Sequence, residues 1–155
     1  TGSMAVGRYD HTATLLDNGK VLIAGGYDST GNPLDSAELF DPSAAGSFSA
    51  TLGILSHARS SHTATRLSSG KILVAGGYGA GGAALSSAEL FDPVNKTFFA
   101  ASSLVQARGS HRAFSLSTFG IFLTGGMSLP NRLSGDLPAP EQVLASVDSY
   151  REDRD

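Results

Sequence analysis

Apolar and polar positions alternate in short bursts along this chain, and the bursts recur. His11 to Leu16 sets small or polar residues against apolar ones, the pattern of a strand with one buried face. Lys20 to Ala24 (KVLIA) is continuously apolar, as in a strand buried on both faces. Between them, Asn18-Gly19 predicts a tight hairpin turn of the primed type, since both residues tolerate positive φ. Gly25-Gly26 ends the second strand and leaves room for another backbone to approach. Ser36 to Asp41 predicts a third strand closed by Asp41-Pro42, and Ser47 to Thr51, around Phe48, a fourth. No helical period of 3.6 and no Leu-x-x-Leu pattern appears.

The same parse returns twice. Arg8, Arg59 and Arg108 are spaced by 51 and 49 residues, and so are His11, His62 and His111 and the glycine pairs that begin at Gly25, Gly76 and Gly125. Between Arg8–Pro42 and Arg59–Pro93, 22 of 35 aligned positions are identical, including SAELFDP at Ser36 and again at Ser87. The second copy predicts strands over His62–Leu67, Lys71–Ala75, Ser87–Asp92 and Thr97–Ala101. The third predicts them over His111–Leu116, Gly120–Thr124 and Ala145–Tyr150, with no fourth strand. Repeats of about 4–54, 55–103 and 104–155 therefore make up one domain, 1–155. Four antiparallel strands in roughly 50 residues suit a propeller blade.

The motif R-x-x-H-T-A-T, then G-K-V-L-I-A-G-G-Y, then S-A-E-L-F-D-P resembles the kelch repeat, especially its bacterial versions. The resemblance spans almost the whole chain. Two departures stand out: Phe48 and Phe98 replace the usual outer-strand tryptophan, and the third copy lacks that strand. What the resemblance implies is an all-β fold of kelch-type β-propeller blades, three four-stranded repeats with the last incomplete. It also implies a protein that binds other proteins or ligands, with a secreted or cell-surface location favoured. A minority of similar proteins, such as galactose oxidase, carry an active site on the propeller.

Three blades do not close a ring, since propellers need about 4–8. The expectation is an open partial propeller that is an excerpt of a longer one, or half of a six-bladed ring completed by a second copy of the chain. Met4 stands where Leu55 and Leu104 stand, and Gly2 aligns with Gly53, so the first residues read as the tail of a preceding blade. A tag remnant ahead of an initiator methionine is the competing reading.

Composition narrows the chemistry. The net charge of −3 gives no basic footprint for nucleic acid, and no apolar run approaches the roughly 20 residues that span a bilayer. No charged-then-apolar leader pattern opens the chain. With no cysteine there is no disulfide, no thiolate nucleophile and no cysteine-ligated metal, and the tyrosine–cysteine copper site of galactose-oxidase-like enzymes is excluded. Neither G-x-S-x-G nor H-E-x-x-H occurs. Gly79 to Gly82 lacks the lysine and helix of a phosphate loop and reads as a flexible hairpin loop. Asn95-Lys96-Thr97 fits a glycosylation sequon, a short and frequent pattern.

The recurring polar set is Arg8, His11 and Glu38, then Arg59, His62 and Glu89, then Arg108, His111 and Asp148. A catalytic group is needed once, whereas a structural device is needed in every blade. These residues are expected to form Arg–carboxylate pairs and histidine hydrogen bonds that lock one blade to the next. Three histidines on different blades stand too far apart for one metal ion, and no cofactor is expected. His57 lies outside the repeat and is expected to face solvent.

Binding functions concentrate on loops of a rigid scaffold. One face of the propeller carries the longer connections 27–35, 78–86 and 127–144, and Tyr27, Tyr78, Arg132 and Asp136 are the expected ligand contacts. The long third loop could instead pack on a neighbouring subunit. The sequence thus favours a non-catalytic protein-interaction or scaffold module, partnered by another protein or by a second copy. The alternatives are a carbohydrate-binding propeller, in which tyrosines stack on a glycan, and a non-catalytic fragment of a larger propeller enzyme.

Overall fold

The computed structural model describes residues 2–116, 120–128, 144 and 146–151. It contains three antiparallel sheets. The first runs β1 (Thr12–Leu15), β2 (Val21–Ala24), β3 (Ala37–Asp41) and β4 (Ser47–Ala50), each strand beside the next. The second repeats this with β5 (Thr63–Arg66), β6 (Ile72–Ala75), β7 (Ala88–Asp92) and β8 (Thr97–Ala101). The third has three strands among the described residues, β9 (Arg112–Leu116), β10 (Gly120–Thr124) and β11 (Val147–Tyr150). Three such sheets side by side are blades of an incomplete propeller. Arg132 and Asp136 lie outside the described residues.

The apolar runs explain the layering. In β6, Ile72 and Val74 face the first sheet while Leu73 and Ala75 face the third, and all four are buried. One cluster therefore joins Leu22, Ala24 and Leu39 to Ile72, Val74 and Phe91, and a second joins Leu73, Ala75 and Leu90 to Ile121 and Leu123. Each core lies between two sheets, so a blade has no core of its own. The outer-strand phenylalanines do what the absent tryptophan would do. Phe48 packs on Phe40 and Phe98 on Phe91, each with ring centroids 4.9 Å apart.

The hairpin turns differ from the sequence expectation. Gly19 has φ +79, but Asn18 does not adopt positive φ. Gly19 N donates to Leu16 O at 3.0 Å and Leu16 N to Lys20 O at 2.8 Å. That is a three-residue loop, an ordinary turn closed by one left-handed glycine, and not a two-residue primed turn. Gly70 repeats it, with φ +84 and a bond to Leu67 O at 3.1 Å. Gly79 to Gly82 is likewise built rather than bare: Gly79 N donates to Ala83 O at 2.8 Å around a 3-10 turn at Ala80–Gly82.

Gly76 shows why the glycine pairs recur. Its φ is +61, and a Cβ there would lie 2.6 Å from Arg108 O and 2.8 Å from His111 Cε1, both of the next blade. Gly77 N donates to the same Arg108 carbonyl at 2.8 Å. A methyl group at this joint must push two blades apart. By contrast, Gly19 has φ +79 and nothing within 4 Å of its Cβ position. Gly76→Ala should therefore lose about 1–3 kcal/mol more than Gly19→Ala, read as urea unfolding midpoints of the two variants. Equal losses would mean that only the backbone angle matters at this position.

Candidate functional site

Two regions gather polar groups: the joints along the inner strands, and the end of the sheets that carries the long connections. The joints are the more regular. Arg59 lies on the connection between the first and second sheets, and it is fully buried. Its backbone belongs to the first sheet, because Arg59 N donates to Leu34 O at 3.0 Å and Gly26 N donates to Arg59 O at 2.8 Å. Its side chain belongs to the second. Nη1 donates to Gly76 O and Ser87 O, each at 2.9 Å, and Nη2 to Ser87 Oγ at 3.0 Å and Glu89 Oε1 at 2.8 Å. Nε donates to His57 O at 3.3 Å, so all five guanidinium protons are used. The other Glu89 oxygen accepts Ser56 N at 2.8 Å. The carboxylate thus holds both the guanidinium and the connection that brings it.

Arg8 repeats this pairing with Glu38 at 2.9 Å, with its Nε left without a partner, and Glu38 Oε2 accepts Ala5 N at 2.9 Å. Arg108 does the same in the third sheet with a shorter acid. Asp148 Oδ2 lies 2.9 Å from Arg108 Nη2 but meets no hydrogen squarely, while Ser146 Oγ takes up an Nη2 proton at 2.6 Å. The ion pairs therefore close within a repeat. What crosses the joint is the arginine backbone.

The histidines do cross. His62 Nε2 lies 2.9 Å from Thr12 Oγ1 of the first sheet, and His111 Nε2 lies 2.9 Å from Thr63 Oγ1 of the second. Nδ1 of His11, His62 and His111 is buried without a partner. An empty acceptor is tolerated better than an orphan N–H, so the hydrogen-bond network assigns the neutral Nε2–H tautomer to His62 and His111, donating to threonine. Burial, reinforced by Arg59, pushes His62 down to about 3, and burial with Arg108 pushes His111 down to about 4. Neither ring can exchange a proton near neutrality. No three His, Asp or Glu side chains among the described residues are grouped to hold a metal ion. His57 is exposed and turned to Ser56.

Asp10, Ser61 and Ser110, each just before a histidine, adopt left-handed backbone with φ of 52, 49 and 54. Ser61 N donates to Asp10 O at 3.0 Å, and Ser110 N to Ser61 O at 2.9 Å, a ladder running from sheet to sheet. These residues and the start of the inner strands line a cavity of about 510 Å³, with His11, Thr65 and Arg112 in its wall. The strain recurs at every inner strand, as a structural device would. A single reaction centre would break the repeat.

At the end with the long connections, the sequence-predicted tyrosines part company. Tyr78 is only 2% exposed. Its ring lies over Gly109, where a Cβ would sit 2.5 Å from it, and its hydroxyl donates to Met127 O at 3.4 Å. Burial raises its phenol pKa. Tyr78 fills the joint and offers no face to a ligand, which corrects its expected role. Tyr27 is half-buried and packs on Tyr9 with ring centroids 5.3 Å apart. Tyr9 is 52% exposed, and the sequence reading passed over it. Beside the pair, Asp28 Oδ1 accepts Thr30 N at 2.8 Å, Thr30 Oγ1 at 2.7 Å and Asn32 N at 2.9 Å, which orders the loop and lowers the Asp28 pKa.

The comparison with known families bears on this arrangement directly. The model of the kelch motif matches residues 8–45 and 59–104, more than half of the chain. This chain belongs to the kelch repeat family. No curated protein matches it. Kelch repeats generally mediate protein–protein interaction, and their domains are typically non-catalytic. Both kelch matches begin at the buried arginine, Arg8 and Arg59, so the family motif and the joint coincide. Among the described residues no helix is long and apolar enough to cross a membrane.

Two tests follow from the joint. Glu89→Ala leaves a fully buried guanidinium without its anion and frees Ser56 N, so it should lose about 3–5 kcal/mol of stability in urea unfolding. A variant that unfolds like the parent would remove the clamp from the account. The histidines set a pH dependence. Their folded pKa values lie below the unfolded value near 6.5, so the unfolded chain binds protons first on acidification. Stability is complete above pH 6.5 and falls as pH drops towards about 4, by up to about 1.4 kcal/mol per pH unit for each histidine. Urea midpoints between pH 6.5 and 5, where carboxylates stay ionised, should decline in the parent and decline less in His111→Gln.

Proposed function

We propose that this kelch domain is a non-catalytic interaction module that receives a protein partner on the face carrying connections 27–35, 78–86 and 127–144. The observation that carries this reading is the Tyr9–Tyr27 pair. A large aromatic, half exposed and braced by a second ring, is the type of anchor that dominates protein interfaces. It stands next to an ordered polar loop centred on Asp28, which adds directional hydrogen-bond groups at little further ordering cost. Arg132 and Asp136 belong to the same proposed face. The recurring Arg, His and carboxylate groups are read as joint structure, since the same pairings return from repeat to repeat.

The same aromatic pair favours a second reading, a glycan stacked on Tyr9. Both are tested with three proteins: parent, Tyr9→Ala, and Val94→Ala as a control in the β7–β8 turn at the opposite end. In affinity capture from an extract of the producing cells, a protein partner should be recovered by parent and control. Tyr9→Ala should recover it at least tenfold less. Equal recovery by all three would argue against this face. A glycan-array signal that only Tyr9→Ala loses would make a sugar the ligand instead.

A further inference from the structure

The tip of the first hairpin carries a chemistry that the repeat does not need. In the loop Asp17-Asn18-Gly19, Asn18 Oδ1 accepts Lys20 N at 3.1 Å. The second repeat makes the same contact with a hydroxyl, Lys71 N donating to Ser69 Oγ at 3.4 Å. A short oxygen-bearing side chain folded back onto the amide two residues on is a turn device, and it works with either residue. The asparagine alone adds a carbonyl carbon, Cγ, that a nucleophile can attack.

The bond from Lys20 N folds Cγ back towards the Gly19 amide. It also draws electron density towards Oδ1, which makes Cγ more electrophilic. Gly19 has no side chain, and nothing lies within 4 Å of the position its Cβ would take. Its nitrogen is therefore unhindered, both by its own residue and by the rest of the fold. Asn18 and Gly19 are exposed, so water and hydroxide reach them. Ser69 holds the equivalent place in the middle sheet, with a sheet on either side, and it is exposed as well. Access is thus a property of the loop tip and not of what flanks the sheet.

The other asparagines each lack one of these conditions. Asn32 precedes Pro33, which has no N–H to lose. Asn95 precedes Lys96, which carries a full side chain, and Asn95 Nδ2 donates to Asp92 Oδ2 at 2.7 Å. Asn131, outside the described residues, precedes Arg132. At the position of Asn18 the second repeat has Ser69 and the third Thr118, neither of which carries an amide.

We infer that Asn18 is a site of spontaneous covalent modification that marks the first of the three blades and loosens its inner hairpin. Gly19 N gives its proton to hydroxide and releases Leu16 O, a bond at the exposed tip that opens without unfolding the sheet. The nitrogen bonds to Asn18 Cγ, the Cγ–Nδ2 bond breaks, and Nδ2 leaves as ammonia with a proton from water. Water then opens the cyclic imide at either carbonyl. One opening gives aspartate, the other isoaspartate, whose main chain runs through Cβ and Cγ. Isoaspartate lengthens a three-residue loop that is closed by Leu16 N to Lys20 O at 2.8 Å, so that closure is lost. Either product adds a negative charge beside Asp17, which pairs with Arg66 of the second sheet. Asn18 lies at the end of the sheet opposite the long connections, so this inference stands apart from the loop-face reading.

The test is storage of the folded chain at mildly alkaline pH, followed by peptide mass spectrometry. The peptide that holds Asn18 should gain one mass unit at least tenfold faster than the peptide that holds Asn95. Its products should include both aspartate and isoaspartate, told apart by a methyltransferase specific for isoaspartate. Asn18→Ser installs the residue of the second repeat, and it should keep the parent's circular dichroism and show no gain in that peptide. In the isoaspartate form, separated by ion exchange, the Leu16 amide should exchange its hydrogen at least fivefold faster than in the parent. The Leu67 amide, bonded to Lys71 O at 2.9 Å in the second hairpin, serves as the unchanged reference. A peptide that keeps its mass, a rate no faster than that of Asn95, aspartate without isoaspartate, or an unchanged Leu16 amide overturns the proposal.

Discussion

A guanidinium taken out of water needs acceptors for all of its protons, and Arg59 finds them all within its own repeat. Its side chain is satisfied by Gly76, Ser87, Glu89 and His57, while its backbone is hydrogen-bonded to the loop of the preceding sheet. Removing water from such a charge costs several kcal/mol, which only a complete acceptor set can offset. The strand that brings Glu89, the turn that presents Ser87 and the glycine that admits the arginine carbonyl are all arranged around that demand. The apolar clusters contribute most of the driving force for burial. The arginine decides the register in which blades meet.

The sequence reading captured what repetition encodes. All eleven described strands were legible from apolar patterning, turn residues and recurrence. It missed where the repeat is broken. Asn18-Gly19 looks like a two-residue primed turn, but Asp17 belongs to the loop and only Gly19 needs left-handed backbone. Tyr27 and Tyr78 occupy equivalent positions, yet the next blade carries Ser60 in one case and Gly109 in the other. The missing side chain at Gly109 opens a slot that Tyr78 fills. Tyr9 was overlooked because it sits beside Arg8 in a motif that reads as structural. Its signal was available: among Tyr9, Ser60 and Gly109 it is the one aromatic at that repeat position.

The candidate site reflects a division between uniform and variable positions. Uniform positions are buried, apart from the partly buried His11, with His62 and His111 neutral and each carboxylate facing an arginine. Variable positions lie at one end, where the Asp28 loop is acidic and polar while its counterpart at Gly79 to Gly82 is glycine and alanine on a similar hydrogen-bonded frame. A fixed frame with changing side chains suits recognition, because side chains can vary without altering the joints beneath them.

The location of the cores between sheets also sets an order of assembly during synthesis. The strands of the first sheet pair within about 40 residues, but the apolar side chains of β2 and β3 meet their cover only when β6 and Phe91 exist. Each sheet therefore emerges from the ribosome with one face bare and waits roughly one repeat for it to be covered. Local pairing is fast and docking is slower, so the nascent chain lengthens as a series of brief delays rather than one collapse. The chain's most aggregation-prone moment is thus set by repeat length and translation speed, a kinetic exposure that equilibrium stability does not measure.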